Sequence, residues 1–240
     1  VPPDDVPGLP KLDKRPVELY FPAANYTHAQ PGRKLLARSI QVATQDWPPS
    51  GWYGYNDALL AGEPAEKGVV SNHTQQRIIA FLDWLAEAFP VDRERIVPVG
   101  SDGAALLALN YPDKFAYVLI TGFEKHGVLS KEAAKEYEAA WGPNSPQIKD
   151  DRGRAAWTWA ELDKVALARP GRDLPAFICK GASWGRVKGW GKGRGRFYSA
   201  MHEANQPLFA HWAWGGKLYP PDRYTGLWRG IDVRRNVFMQ

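Results

Sequence analysis

Apolar positions along the chain fall into short runs divided by stretches of helical spacing. Val17-Glu18-Leu19-Tyr20-Phe21 reads as a strand, residues 35–42 as a second, and an aromatic, glycine-rich loop from Trp47 to Asp57 follows. Over residues 72–89, Ile78, Ile79, Leu82, Leu85 and Phe89 recur at the spacing of a helix, and Asn72 with Gln75 fits a capping box at its start. Arg95-Ile96-Val97-Pro98-Val99 is a short apolar run, residues 100–104 a tight small-residue turn, and residues 104–111 an apolar helix. Residues 116–121, 175–179 and 208–214 read as further strands, with a helix over 197–204. Strands separated by helical connections predict one α/β domain over residues 1–240, with a mostly parallel sheet and helices on both faces. Residues 131–169, which carry Trp141, Trp157 and Trp159, interrupt the alternation and predict a helical flap over the C-terminal edge of the sheet, where ligands bind in open α/β folds. Trp157-x-Trp159 predicts burial of at least one of the two rings. The alternation of residues 233–240 runs to the last residue and predicts a polypeptide that continues beyond it.

Composition narrows the classes. The 240 residues are 44% apolar and 24% charged, ordinary globular proportions, and no apolar run approaches the roughly 20 residues needed to cross a bilayer. Cys179 is the single cysteine, which excludes an internal disulfide and a paired-thiolate zinc site. The five histidines, His28, His73, His126, His202 and His211, are dispersed without metal-ligand spacing, so neither metal nor cofactor is expected. Eleven Trp, ten Tyr and twenty Pro point to aromatic surfaces and rigid loops rather than a helical bundle.

The net charge of +5 is unevenly spread: residues 172–240 hold 12 Lys and Arg against 4 Asp and Glu, and the rest of the chain holds 19 against 22. Within the basic part, residues 174–202 contain no acidic group but interleave Lys188, Lys192, Arg194 and Arg196 with Trp184, Trp190 and six glycines. With Trp212 and Trp214, these residues form a candidate surface for a polysaccharide or polyanion; a solvated glycine-rich loop is the plainer reading. The signatures of a nucleic-acid module are missing. Asn25-Tyr26-Thr27 and Asn72-His73-Thr74 match the N-glycosylation pattern, and the acidic, proline-rich start Val1-Pro2-Pro3-Asp4-Asp5 does not read as a secretory leader.

The run from Asp92 through Arg95-Ile96-Val97-Pro98-Val99-Gly100-Ser101-Asp102-Gly103-Ala104, followed by Leu109-Asn110-Tyr111-Pro112-Asp113, resembles the nucleophile-elbow unit of the alpha/beta-hydrolase superfamily, in its esterase and peptidase-like branch. The Gly54-Tyr55-Asn56-Asp57 loop, Trp141-Gly142-Pro143, Asp173-Leu174-Pro175 and Phe197-Tyr198 extend the resemblance over nearly the whole chain. It implies that fold, and an activity only where the catalytic residues are present.

An elbow demands small residues two before and two after its apex. Gly100 and Ala104 satisfy this for Asp102, whereas Val99 fails it for Ser101, so sterics place Asp102 at the apex. The resemblance implies an acid after the strand ending at Cys179, where the sequence reads Lys180-Gly181-Ala182-Ser183 with no carboxylate before Glu203. It implies a histidine beyond the last strand, where Trp214-Gly215-Gly216-Lys217 puts lysine instead; His211 falls inside the strand and reads as structural. The expected function is therefore an inactive pseudo-hydrolase used for binding or assembly of an unidentified protein or polysaccharide, extracytoplasmic as the resemblance implies. Two active alternatives stay open: Asp102 as a nucleophile in the manner of dehalogenase-like members, or Ser101 working with Glu124 and His126 after the 116–121 strand. The opposite charges of Asp102 and Lys217 suggest an ion pair where a catalytic pair would stand.

Overall fold

Alternating side chains of β1 (Arg15–Phe21) decide how the sheet is sandwiched. Val17, Leu19 and Phe21 enter the main core, while Glu18 and Tyr20 belong to the opposite face. The computed structural model describes residues 13–22, 28–29, 34–36, 38–100, 102–120, 131–168, 174–180 and 194–211. Among them, β2 (Ile40–Ala43), β5 (Val91–Gly100), β6 (Tyr117–Ile120), β8 (Ala176–Lys180) and β9 (Leu208–His211) join β1 in a six-stranded sheet of order β2-β1-β5-β6-β8-β9. Every pairing in it is parallel. A smaller sheet of order β3-β4-β7 is made from β3 (Tyr55–Asn56), β4 (Val69–Ser71) and β7 (Lys149–Asp150).

The helices are α1 (Asp57–Leu60), α2 (His73–Ala88), α3 (Asp102–Asn110), α4 (Lys131–Trp141), α5 (Leu162–Leu167) and α6 (Arg194–Glu203). Ile78, Leu82 and Leu85 of α2, all of the apolar residues of α3, and Phe197, Ala200 and Met201 of α6 pack in one cluster with Val17, Leu19, Phe21, Val118, Ile120 and Phe177. On the other face Val97, Val99, Tyr117, Leu119 and Ile178 form a second buried cluster. Leu36 packs against that second cluster, and any helical cover for it lies outside the described residues.

Four local expectations are revised. The strand over 35–42 is shortened to Ile40–Ala43, because the buried Glu18 carboxylate accepts from the N–H groups of Leu35 (2.9 Å) and Leu36 (2.7 Å) and from the Ser39 hydroxyl. Arg38 then turns the chain at φ 59°. No capping box forms at α2, because the Asn72 side chain points inward and donates to the Gln75 side chain (3.2 Å) and to the Tyr111 hydroxyl (3.4 Å). The helix after β5 starts at Asp102, two residues ahead of its expected first residue. The flap is not wholly helical, since β7 leaves it to pair with β4. The predicted strand over 233–240 lies outside the described residues.

Candidate functional site

The sheet register gathers the loops that extend from the strands. Phe21 pairs with Gly100, Gly100 with Ile120, Ile120 with Cys179, and Lys180 with His211, so the chain leaves β1, β5, β6, β8 and β9 along one edge. Ligands bind beyond this edge in open parallel sheets. At its centre, Gly100 has φ +135°, and a Cβ built there would lie 2.0 Å from the Phe21 carbonyl oxygen. Only glycine permits that backbone and that approach of β1 to β5. α3 then begins at Asp102.

Asp102 is the first residue of α3 and is 8% exposed. A carboxylate there faces the positive end of the helix dipole. Tyr137 of α4 is buried beside it; burial, then the nearby charges of Asp102 and Asp46, push the phenol above its ordinary range. Asp46 organises the loop after β2: it accepts from the N–H groups of Ser50 (2.9 Å) and Trp52 (2.9 Å) and from the Ser50 hydroxyl. Burial raises the Asp46 carboxyl above the usual carboxylate range against these hydrogen bonds and the charge of Arg77. Gly51 and Trp52 both have positive φ, 65° and 57°, in a turn closed by the Tyr53 N–H donating to the Ser50 carbonyl (3.3 Å). Trp52 meets Phe21 edge-on with ring centroids 5.0 Å apart.

The flap is fixed to this loop from the other side. The Trp141 indole N–H donates to the carbonyls of Ser50 (3.2 Å) and Gly54 (2.8 Å). Tyr53 stacks on Trp159 at 5.1 Å, and the Trp159 N–H donates to Asp150 Oδ2 at 2.9 Å. Arg154 pairs with the same carboxylate (Nε at 2.9 Å) and lies 4.4 Å over the Trp159 ring. Trp157 and Trp159 are 6% and 2% exposed, so both rings of the Trp-x-Trp pair are buried, not one alone. Asp46, Trp52, Tyr137 and Asp150 were not singled out from the sequence; the aromatic, glycine-rich loop of residues 47–57 was the one signal that pointed toward them.

No family model matches the chain. A D-threonate kinase from Bordetella bronchiseptica is 35% identical over 116 residues, which is 46% of this chain and 28% of that protein. Among solved structures, an S-formylglutathione hydrolase from Agrobacterium tumefaciens superposes with a TM-score of 0.51 at 16% identity, over 82% of this chain and 75% of its own. A lipase/esterase from Lactobacillus plantarum does so with 0.52 at 13% identity, over 89% and 83%. Prolyl oligopeptidase B from Galerina marginata gives 0.50 at 12% identity, over 89% of this chain and 31% of that one. The chain has the alpha/beta-hydrolase fold.

In an alpha/beta-hydrolase the nucleophile sits on the sharp turn between a strand and the next helix. Here β5 ends at Gly100 and Asp102 is already helical. Among the described non-glycine residues only Arg38, Trp52 and Asn205 have positive φ, so the backbone of Asp102 is unstrained. Val99, counted against Ser101 on size, is buried in the second cluster on the far face of the sheet.

The other predicted residues divide unequally. Ser101, Glu124, His126, Lys217, Trp184, Trp190, Trp212, Trp214, Lys188 and Lys192 lie outside the described residues, as does Asn25. Arg194 begins α6. Arg196, expected to contact a ligand, reaches back to the flap, its Nε 3.1 Å from Asp163 Oδ2, and its side chain stays half exposed. Asn72 is fully buried, which removes its sequon from the accessible surface of the folded chain. No group of three or more His, Cys, Asp or Glu among the described residues is arranged to hold a metal. No helix among them is long and apolar enough to cross a membrane.

Proposed function

We propose that this chain is a catalytically inactive alpha/beta-hydrolase, one domain over residues 1–240, whose sheet edge serves binding or assembly. The observation that carries the reading is the register of the strand ends, taken with the residue types in the loops beyond those ends. β5, β8 and β9 end side by side with only β6 intervening, and these are the exits from which a nucleophile, an acid and a histidine would have to converge. After β8 no carboxylate occurs before Glu203, on α6, and after His211 at the end of β9 the sequence holds no histidine. A serine without a base is a poor nucleophile. Asp102 and Lys217 form an ion pair at the vacated centre in this reading, and the partner is a protein or polysaccharide met outside the cytoplasm. The kinase match has no part in it, since it spans under a third of that protein.

A second reading, an active hydrolase with Ser101 as nucleophile, is supported by the helical start of α3 at Asp102, directly after Ser101 in the sequence. Ser101 would then act with Glu124 and His126, which come after β6 on the adjacent strand. Incubation with a chromogenic ester and a fluorophosphonate probe separates the two. No turnover and no adduct is the expected result, and a fluorophosphonate adduct mapped to Ser101 would overturn the inactive reading. Retention on a heparin column that collapses as salt rises would point instead to polyanion binding by the basic C-terminal region.

A further inference from the structure

Ile78, Leu82 and Leu85 bury one stripe of α2, and a surface helix of this kind is ordinarily polar on the opposite side. Here that side carries aromatic rings. Phe81, Trp84 and Phe89 are 39%, 52% and 45% exposed. The Trp84 ring centroid lies 5.4 Å from that of Phe81 and 6.1 Å from that of Phe89, so the three form one patch rather than scattered single residues. Contiguous exposed apolar patches mark surfaces that another molecule covers. Arg77, Phe81, Trp84 and Ala88 follow one another at helical spacing along this face, with Ala80 beside them. Ala80 and Ala88 are both exposed, and their small side chains leave room for a second helix to come close.

The charges around the patch select the occupant. Of the Asp, Glu, Lys and Arg side chains on α2, Asp83 is already neutralised, 2.8 Å from Arg93 and 3.4 Å from Lys114. Arg77 and Glu87 are exposed and form no ion pair among the described residues; Arg77 acts on Asp46 only at longer range. They stand at opposite ends of the patch, about 15 Å apart along the helix axis. The face is thus neutral as a whole, with a cation at one end and an anion at the other, which suits neither an acidic nor a basic partner but matches its own copy run in the opposite direction. A two-fold axis near residue 82 sets Arg77 of each copy level with Glu87 of the other, and Phe81 level with Trp84. We propose that α2 is a dimer interface, through which two copies of this chain pack antiparallel on Phe81, Trp84 and Phe89 with Arg77 and Glu87 paired at both ends. The interface does not depend on whether the chain is active.

The test is the mass of the full chain in solution, read by light scattering behind a sizing column, with the dissociation constant taken from sedimentation over a dilution series. The parent should run at twice the chain mass at about 100 μM and dissociate on dilution. Trp84→Ser and Ala80→Arg should each be monomeric at that concentration with unchanged circular dichroism, because both positions are exposed and neither change touches the core. Arg77→Glu or Glu87→Arg alone should weaken the dimer about tenfold, since each change acts twice across a two-fold interface. The two reversals combined should return to within about threefold of the parent. A parent that is monomeric at about 100 μM overturns the proposal, as does a dimer that survives both Trp84→Ser and Ala80→Arg. Single charge reversals without effect, or with no recovery when combined, overturn the antiparallel arrangement. A fluorophosphonate adduct would refute inactivity while leaving the mass of the assembly untouched, so the two failures are separable.

Discussion

Replacing Trp159 probes the buried joint between the flap and the 50–54 turn, and its cost can be apportioned from the structure. Trp159 is 2% exposed, stacked on Tyr53 at 5.1 Å, and donates to Asp150 Oδ2 at 2.9 Å. Trp159→Ala removes ring and donor together and should cost about 3–5 kcal/mol. Trp159→Phe keeps most of the ring but deletes the hydrogen bond to a charged acceptor, for about 1.5–3 kcal/mol. Asp150 then still has Arg154, both as an ion pair and through its backbone N–H at 2.8 Å. The same pair of variants carries a pH signature. Burial pushes the Asp150 carboxyl upward, but the hydrogen bonds from Trp159 and Arg154 outweigh it and hold the group below the ordinary carboxylate range. A depressed carboxyl stabilises the fold above its unfolded pKa of about 3.9, and that contribution is lost as pH falls through the folded value. The gap between parent and Trp159→Phe should therefore be full at pH 7 and shrink below about pH 4. Urea unfolding followed by far-ultraviolet circular dichroism at a series of pH values measures it. A Trp159→Phe stability within about 0.5 kcal/mol of the parent at pH 7 would refute the reasoning.

Gly100→Ala meets both a forbidden φ and the Phe21 carbonyl, and should lose about 3 kcal/mol or more, seen as a fall of roughly 6–12 °C in Tm or a loss of soluble protein. Asp46, with its carboxyl raised by burial, favours the folded state most below its unfolded pKa and less as pH rises through the folded one. Asp46→Asn should flatten that decline between about pH 4 and 7 in the same unfolding assay. A double-mutant cycle on Asp102→Ala and Lys217→Ala should give a coupling above about 1 kcal/mol if the two form the proposed pair, and a value near zero would remove it.

The alternation of β1 and the apolar runs of β5, β6 and β8 were readable because a strand buried on both faces must be apolar over its length, wherever it sits in the sheet. The 3.6-residue spacing of Ile78, Leu82 and Leu85 marked α2 for the same local reason: one stripe of that helix must leave water. The strand-to-helix turn between Val99 and Ala104 was legible as well, since glycine is needed wherever backbone meets backbone. Where α3 begins was not: small residues put its start at Ala104, but the helix starts at Asp102, and only the register of β5 against β1 and β6 fixes where a strand stops. The shortened β2 depended on Glu18 capturing N–H groups 17 and 18 residues away, and the inward turn of Asn72 on Tyr111, 39 residues on. The ion pair of Arg196 with Asp163 of the flap, 33 residues earlier, was likewise not legible, because its sequence neighbours are glycine and basic residues. Local pattern thus determined which segments form elements and which face each buries. The partners of polar and charged side chains were decided by tertiary structure, because a buried carboxylate or amide takes whatever donor the packing brings within about 3 Å, whatever its distance along the chain.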